Sequence, residues 1–132
     1  MDELIPKEDL GIISMLYNKE GILTIPKLFT RDIFLYYTHI AGTSHTDGIA
    51  GIEPLLNEGD RLEFFREPDN PHDGRAIVIR TLNGVKIGYI PRADNIILSR
   101  LMDAGKLLFG TIKSKEWQNK WLRINIKIYM GD

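Results

Sequence analysis

The sequence has no cysteine. That excludes disulfides and thiolate-held metals, and it fits a reducing, cytoplasmic setting. Nor does it contain a run of about 18 apolar residues, the length a membrane-spanning helix needs, so no membrane partner is expected. Its acidic start, Met1-Asp2-Glu3-Leu4, lacks the basic opening of a secretory signal. No G-x-x-x-x-G-K-S/T phosphate loop and no G-x-S-x-G nucleophile turn occurs. The acidic residues are not grouped as a two-metal nuclease needs them. The chain is therefore read as a non-enzyme. The candidates for a metal site are His39, His45 and His72 with Asp47 and Asp73. No pair of these histidines has H-x-x-x-H or zinc-finger spacing, so neither metal nor any other cofactor is expected.

Net charge is scarce too, at −1 over 132 residues. Taken whole, that argues against a polyanionic partner. Its distribution argues the other way. Residues 1–74 carry 6 Lys/Arg against 14 Asp/Glu, and residues 75–132 carry 11 against 4. A basic second half offers a phosphate-facing surface that the overall balance hides. The plainer alternative is that folding mixes the two halves.

What remains is an ordinary globular composition, 43% apolar, on a length suited to one domain. Residues 1–32 read as an N-terminal helical extension and connector. Leu10, Ile13 and Leu16 recur at helical spacing over residues 2–20, and Gly21 is a natural stop. From residue 33 the pattern changes to short strands, and residues 33–132 read as one β-rich domain. Strands are predicted at 33–40, 61–66, 76–82, 85–90, 107–115 and 121–129. In the last, Leu122, Ile124, Ile126 and Ile128 alternate with Arg123, Asn125 and Lys127, which makes a half-buried strand with a basic outer face. Asn83-Gly84 reads as a two-residue hairpin turn with both residues at positive φ. Asp94 is the expected cap of a helix running to Ala104, with Ile97, Leu101 and Ala104 on its core face, helped by Leu98. Many short strands around one helix predict a small, partly closed barrel.

Four segments stand out together: Thr38-His39-Ile40-Ala41-Gly42-Thr43, Phe65-Arg66-Glu67-Pro68-Asp69-Asn70-Pro71-His72-Asp73, Ala76-Ile77, and Gly84-Val85-Lys86-Ile87-Gly88-Tyr89-Ile90-Pro91-Arg92. In this order and spacing the chain resembles the HIRAN domain family over about residues 33–129. The resemblance implies an OB-like barrel with flanking helices. It implies binding of single-stranded DNA by its free 3′ end, with RNA left open, and a link to DNA repair or stalled-fork processing. Members occur fused to DNA-processing ATPases and as short free-standing bacterial proteins. This chain looks like the second kind, so any such ATPase would be a separate chain.

Carried over by position, the resemblance assigns Asn70, His72 and Asp73 to a recognition loop, with Asp73 as the acceptor for a terminal hydroxyl. A carboxylate accepts a bond from a hydroxyl but repels a phosphate, so it selects an end over a continuing strand. The plainer reading makes Asn70 and Asp73 simple turn braces. Tyr89 is assigned to a base and Arg92 to phosphate. Ser44-His45-Thr46 stands where DNA-binding members carry a basic residue and an aromatic pair, which leaves His45 and Trp117 as candidate base contacts. Arg66 and Glu67 are expected to brace the loop. The competing class is a protein-interaction or dimerisation barrel using Tyr36, Tyr37, Trp117 and Trp121. Nucleic-acid binding predicts Arg75, Arg80, Lys86, Arg92 and Lys113 around one groove; the competitor predicts an apolar patch.

Overall fold

The computed structural model describes residues 32–131. The expected helix over 2–20 and nearly all of the connector lie outside the described residues. Strand β1 (Asp32–His39) leads through a 3-10 turn (Thr43–His45), a one-turn helix α1 (Ile49–Ile52) and a second 3-10 turn (Glu53–Leu55). Then come β2 (Arg61–Arg66), β3 (Ile77–Thr81) and β4 (Lys86–Tyr89), helix α2 (Arg92–Asp103), and the long hairpin of β5 (Leu107–Gln118) and β6 (Trp121–Gly131).

The six strands form one antiparallel sheet in the order β1-β6-β5-β2-β3-β4. Strict alternation in β6 sends Leu122, Ile124, Ile126 and Ile128 into the core, each 1% exposed or less, with the basic residues outward. Ile40, Leu62, Ile77, Ile79, Ile87, Leu98 and Ile112 meet them. The β5–β6 turn needs a left-handed residue, and Asn119 supplies it at φ 60°.

The sheet curls until its two edges meet. Just after β1, Ala41 bridges to Tyr89 at the end of β4. Ala41 N–H donates to the Tyr89 carbonyl at 2.8 Å, and Tyr89 N–H donates to the Ala41 carbonyl at 2.9 Å. This seam is why position 88 is glycine. A Cβ there would stand 2.4 Å from Ile40 Cγ2 and 2.5 Å from the Ala41 carbonyl oxygen. The result is the expected OB-like, partly closed barrel with α2 inserted between β4 and β5.

Two local expectations are corrected. The β3–β4 hairpin has a three-residue loop, Leu82-Asn83-Gly84, between the paired Thr81 and Val85. Only Gly84 has positive φ, at 85°; Asn83 does not. Gly84 N–H donates to the Thr81 carbonyl, the pattern of a type I turn closed by a left-handed glycine, which tolerates an ordinary Asn. Helix α2 starts earlier, with Pro91 as its cap residue, and Asp94 makes no capping bond. The Asp94 carboxylate accepts Thr38 Oγ1 at 2.7 Å instead. The helix's expected core face is only partly right: Leu98 is buried and Leu101 packs against the core, but Ile97 is 69% exposed and Ala104 is exposed, while Asn95 and Ser99 are buried. Its inner face meets a polar loop as well as the core, so apolar spacing alone misjudges some of the residues that point in.

Candidate nucleic-acid interface

The seam between the sheet edges opens into a groove of about 390 Å³. Ala41, Gly42 and His45 line one side, and Tyr89, Ile90 and Arg92 the other. The loop between β2 and β3 supplies Asn70, His72, Asp73 and Ala76, and α2 supplies Asn95. Six predicted residues thus share one concavity: His45, Asn70, His72, Asp73, Tyr89 and Arg92.

Each is held by hydrogen bonds, some within its own turn and some reaching across the fold. His45 ends the 3-10 turn that follows Gly42, a left-handed residue at φ 77°. Buried Thr43 pins that turn by donating to the Leu122 carbonyl at 2.6 Å, and Thr46 Oγ1 donates to the Ile87 carbonyl at 2.9 Å. Asn70 folds the loop as an Asx turn. Its side-chain oxygen accepts the His72 and Asp73 amides at 2.8 and 3.1 Å, and its Nδ2 donates to Glu67 Oε1 at 3.1 Å. The same Glu67 oxygen accepts the Tyr89 hydroxyl at 2.8 Å, and Lys86 Nζ donates to that hydroxyl at 3.0 Å. Burial alone would raise the Glu67 pKa, but the Asn70 and Tyr89 bonds and the Lys86 charge hold it below the ordinary glutamate value. Arg66 forks onto Asp103, with Nε at 2.9 Å from Oδ1, and its Nη1 reaches the Ala76 carbonyl at 3.0 Å. Arg66 and Glu67 therefore tie the two ends of the loop to α2 and β4.

Asp73 is the carboxylate that lines the groove. Its Oδ1 accepts the Arg75 amide at 2.9 Å, and its Oδ2 accepts Asn95 Nδ2 at 2.8 Å. Those two bonds, with the nearby Arg92 and Arg75 charges, lower its pKa below the ordinary aspartate value, so it is ionised at neutral pH. A carboxylate has about four acceptor sites, and two are in use, so it can still accept a hydroxyl. Arg92 Nε stands 3.8 Å from Asp73 Oδ2, and Arg92 Nη2 donates to the His72 carbonyl at 2.9 Å. The Arg92 side chain is 72% exposed, so its charge faces solvent beside the carboxylate.

Trp117 does not line this groove; its indole N–H donates to Glu53 Oε1 at 3.2 Å, beside the Lys115–Glu53 ion pair. Of the five cations expected around one groove, Arg92 alone lines it. Tyr36 turns inward to pack against the core, where burial and Asp94 raise its pKa. Asn95 escaped the sequence reading, because an asparagine inside an amphipathic helix looks like part of a solvated face. Among the described residues, no group of three or more His, Asp or Glu is arranged to hold a metal ion. No described helix is long and apolar enough to cross a membrane.

An antiparallel OB-like barrel with a polar loop and a basic residue at its closing seam is the architecture of a small binding domain. Its family is equally plain: the HIRAN domain model matches residues 33–131, and the chain belongs to that family. The chain is similar to the crystal structure of a protein from Lactobacillus plantarum, at 26% identity and TM-score 0.72, over 78% of this chain and 98% of that one. It is also similar in fold to the HIRAN domain of human HLTF, at 18% identity and TM-score 0.59, over 76% of this chain and 78% of that one. An NMR structure of the HLTF HIRAN domain in its DNA-bound conformation aligns at 19% identity and TM-score 0.53, over 74% of this chain and 78% of that one. A helicase-like transcription factor from Oryctolagus cuniculus is 30% identical over 59 residues, which span 45% of this chain and 6% of that protein.

Proposed function

We propose that the chain is a nucleic-acid-binding module whose seam groove takes the free 3′ end of single-stranded DNA. The observation that carries this is the pairing of Asp73 with Arg92, 3.8 Å apart on one concave wall. A terminal 3′-hydroxyl donates to Asp73, and the last phosphate lies against Arg92. Tyr89 and His45 flank the terminal base, and Asn70 and His72 shape the loop that receives it. The family membership and the DNA-bound relative support the same reading. The domain binds rather than catalyses. Its place is in DNA repair or stalled-fork processing in the cytoplasm, alongside a DNA-processing ATPase.

The test is fluorescence anisotropy with short single strands ending in 3′-hydroxyl or 3′-phosphate. The 3′-hydroxyl strand binds more tightly. Equal affinities would remove the end-reading role of Asp73. No binding to either at low salt would favour a protein-interaction barrel.

A further inference from the structure

The groove uses one cation of a chain that has a strongly basic second half. Three of the others, Lys113, Arg123 and Lys127, lie elsewhere, on the outer face of the sheet. The outward residues of β6 are Trp121, Arg123, Asn125, Lys127 and Tyr129, opposite the inward apolar series. Phe34 of β1 pairs across with Tyr129, and Tyr129 with Phe109 of β5. These rings form a ladder: Phe34 to Tyr129 at 5.7 Å, then Tyr129 stacked on Phe109 at 5.3 Å and 12°. Tyr37 joins it 4.9 Å from Phe34.

Cations are set among the rings. Arg61 lies 3.8 Å above Phe109, and Lys113 lies 4.2 Å from the Tyr37 ring. Lys127 pairs with Tyr37 across the β1–β6 ladder. Further along β6, Arg123 sits 5.6 Å from Trp121, which meets His39 edge-on at 6.4 Å. Among the described residues none of these four cations lies in a salt bridge. The outward carboxylates on the same strands are Asp32, Glu63 and Glu116. Phe34 and Tyr37 keep 43% and 55% of their surface exposed.

Exposed rings with unpaired cations around them suit a flexible polyanion with flat bases. The rings accept bases of any sequence, and the cations follow the phosphates. A purely apolar partner would leave the charges desolvated, and a second copy would set like charges together about a symmetry axis. We infer that the outer sheet face, centred on Tyr37, Lys113 and Lys127, is a second nucleic-acid contact surface that holds the interior of a single strand. It offers no carboxylate in the position Asp73 has in the groove, so it has no preference for an end.

The test separates the two surfaces by using a circular single-stranded oligonucleotide, which has no 3′ end, with the full chain. Circular DNA binds the wild type with strong salt dependence. The double variant Lys113→Glu/Lys127→Glu binds it at least about tenfold more weakly, as expected when two phosphate contacts become repulsive. Tyr37→Ser, at an exposed position, weakens it several-fold without changing the salt slope. The lysine variant keeps the preference of short linear strands for a 3′-hydroxyl, so failure of the groove and failure of this face give different patterns. Absence of circular-strand binding by the wild type, or circular-strand binding indifferent to the lysine and Tyr37 changes, overturns the inference. So does a wild-type dimer in sedimentation analysis that the lysine variant splits without loss of nucleic-acid affinity, which would make a second copy the occupant.

Discussion

At the scale of single residues, the candidate site is one carboxylate given a fixed direction. Asp73 is aimed by the Arg75 amide and Asn95, and its charge is secured by the same bonds. Asp73→Asn keeps the volume, and Asn95 can turn its carbonyl toward the new amide. It should weaken binding of a short 3′-hydroxyl strand by about tenfold, the scale of one charge-assisted hydrogen bond. A 3′-phosphate strand should bind the variant as well as, or better than, the wild type, because repulsion is gone. Anisotropy with the two ends reads both effects. Arg92→Ala should weaken both strands alike, by a few-fold, and reduce the salt slope by about 0.7, as for one lost contact to a single strand. The lowered pKa also sets a pH dependence. A depressed carboxyl contributes its stability in full above its unfolded value of 3.8 and loses it as pH falls through the folded value. The melting-temperature gap between wild type and Asp73→Asn should therefore hold steady from neutral pH down to about pH 4 and close below it.

At the scale of elements, the strands were legible and the ways they join were less so. Alternation in β6 and the apolar density of β1 and β2 mark strands because sheets bury one face at a period of two. The edge-to-edge seam leaves a trace only in Gly88, which sequence alone does not separate from any other glycine in a strand. Gly88→Ala tests the seam. Its Cβ would meet backbone at 2.5 Å, so the change should cost about 1–3 kcal/mol, the scale of overpacking, and lower the melting temperature accordingly. The groove should loosen with it, and 3′-end affinity should fall even where most molecules remain folded. In α2, Leu98 and Leu101 face the core as apolar spacing predicts, but Ile97 turns outward and Asn95 inward, because buried Asn95 serves Asp73, a partner 22 residues away that periodicity cannot see. The loop residues were legible because a motif names them together. Trp117 sits at the far end of a long hairpin, where its indole serves Glu53.

At the scale of the whole described domain, charge divides between the seam groove and the outer face of the sheet. The near-zero net charge conceals a groove with one carboxylate and one cation, and an outer sheet face where several cations lie among aromatic rings. The sequence-level split into acidic and basic halves anticipated a basic surface but placed it at the groove, since strand order and facing are not written in composition. The most direct measurement of the central claim is an NMR titration of the labelled chain with a short 3′-hydroxyl single strand. The amides of residues 42–45, 70–76 and 89–92 should shift first and most, and Asp73→Asn should shrink those shifts at a subsaturating strand concentration, in step with its roughly tenfold lower affinity. Shifts centred away from the seam, or a groove pattern unchanged by Asp73→Asn, would contradict the account.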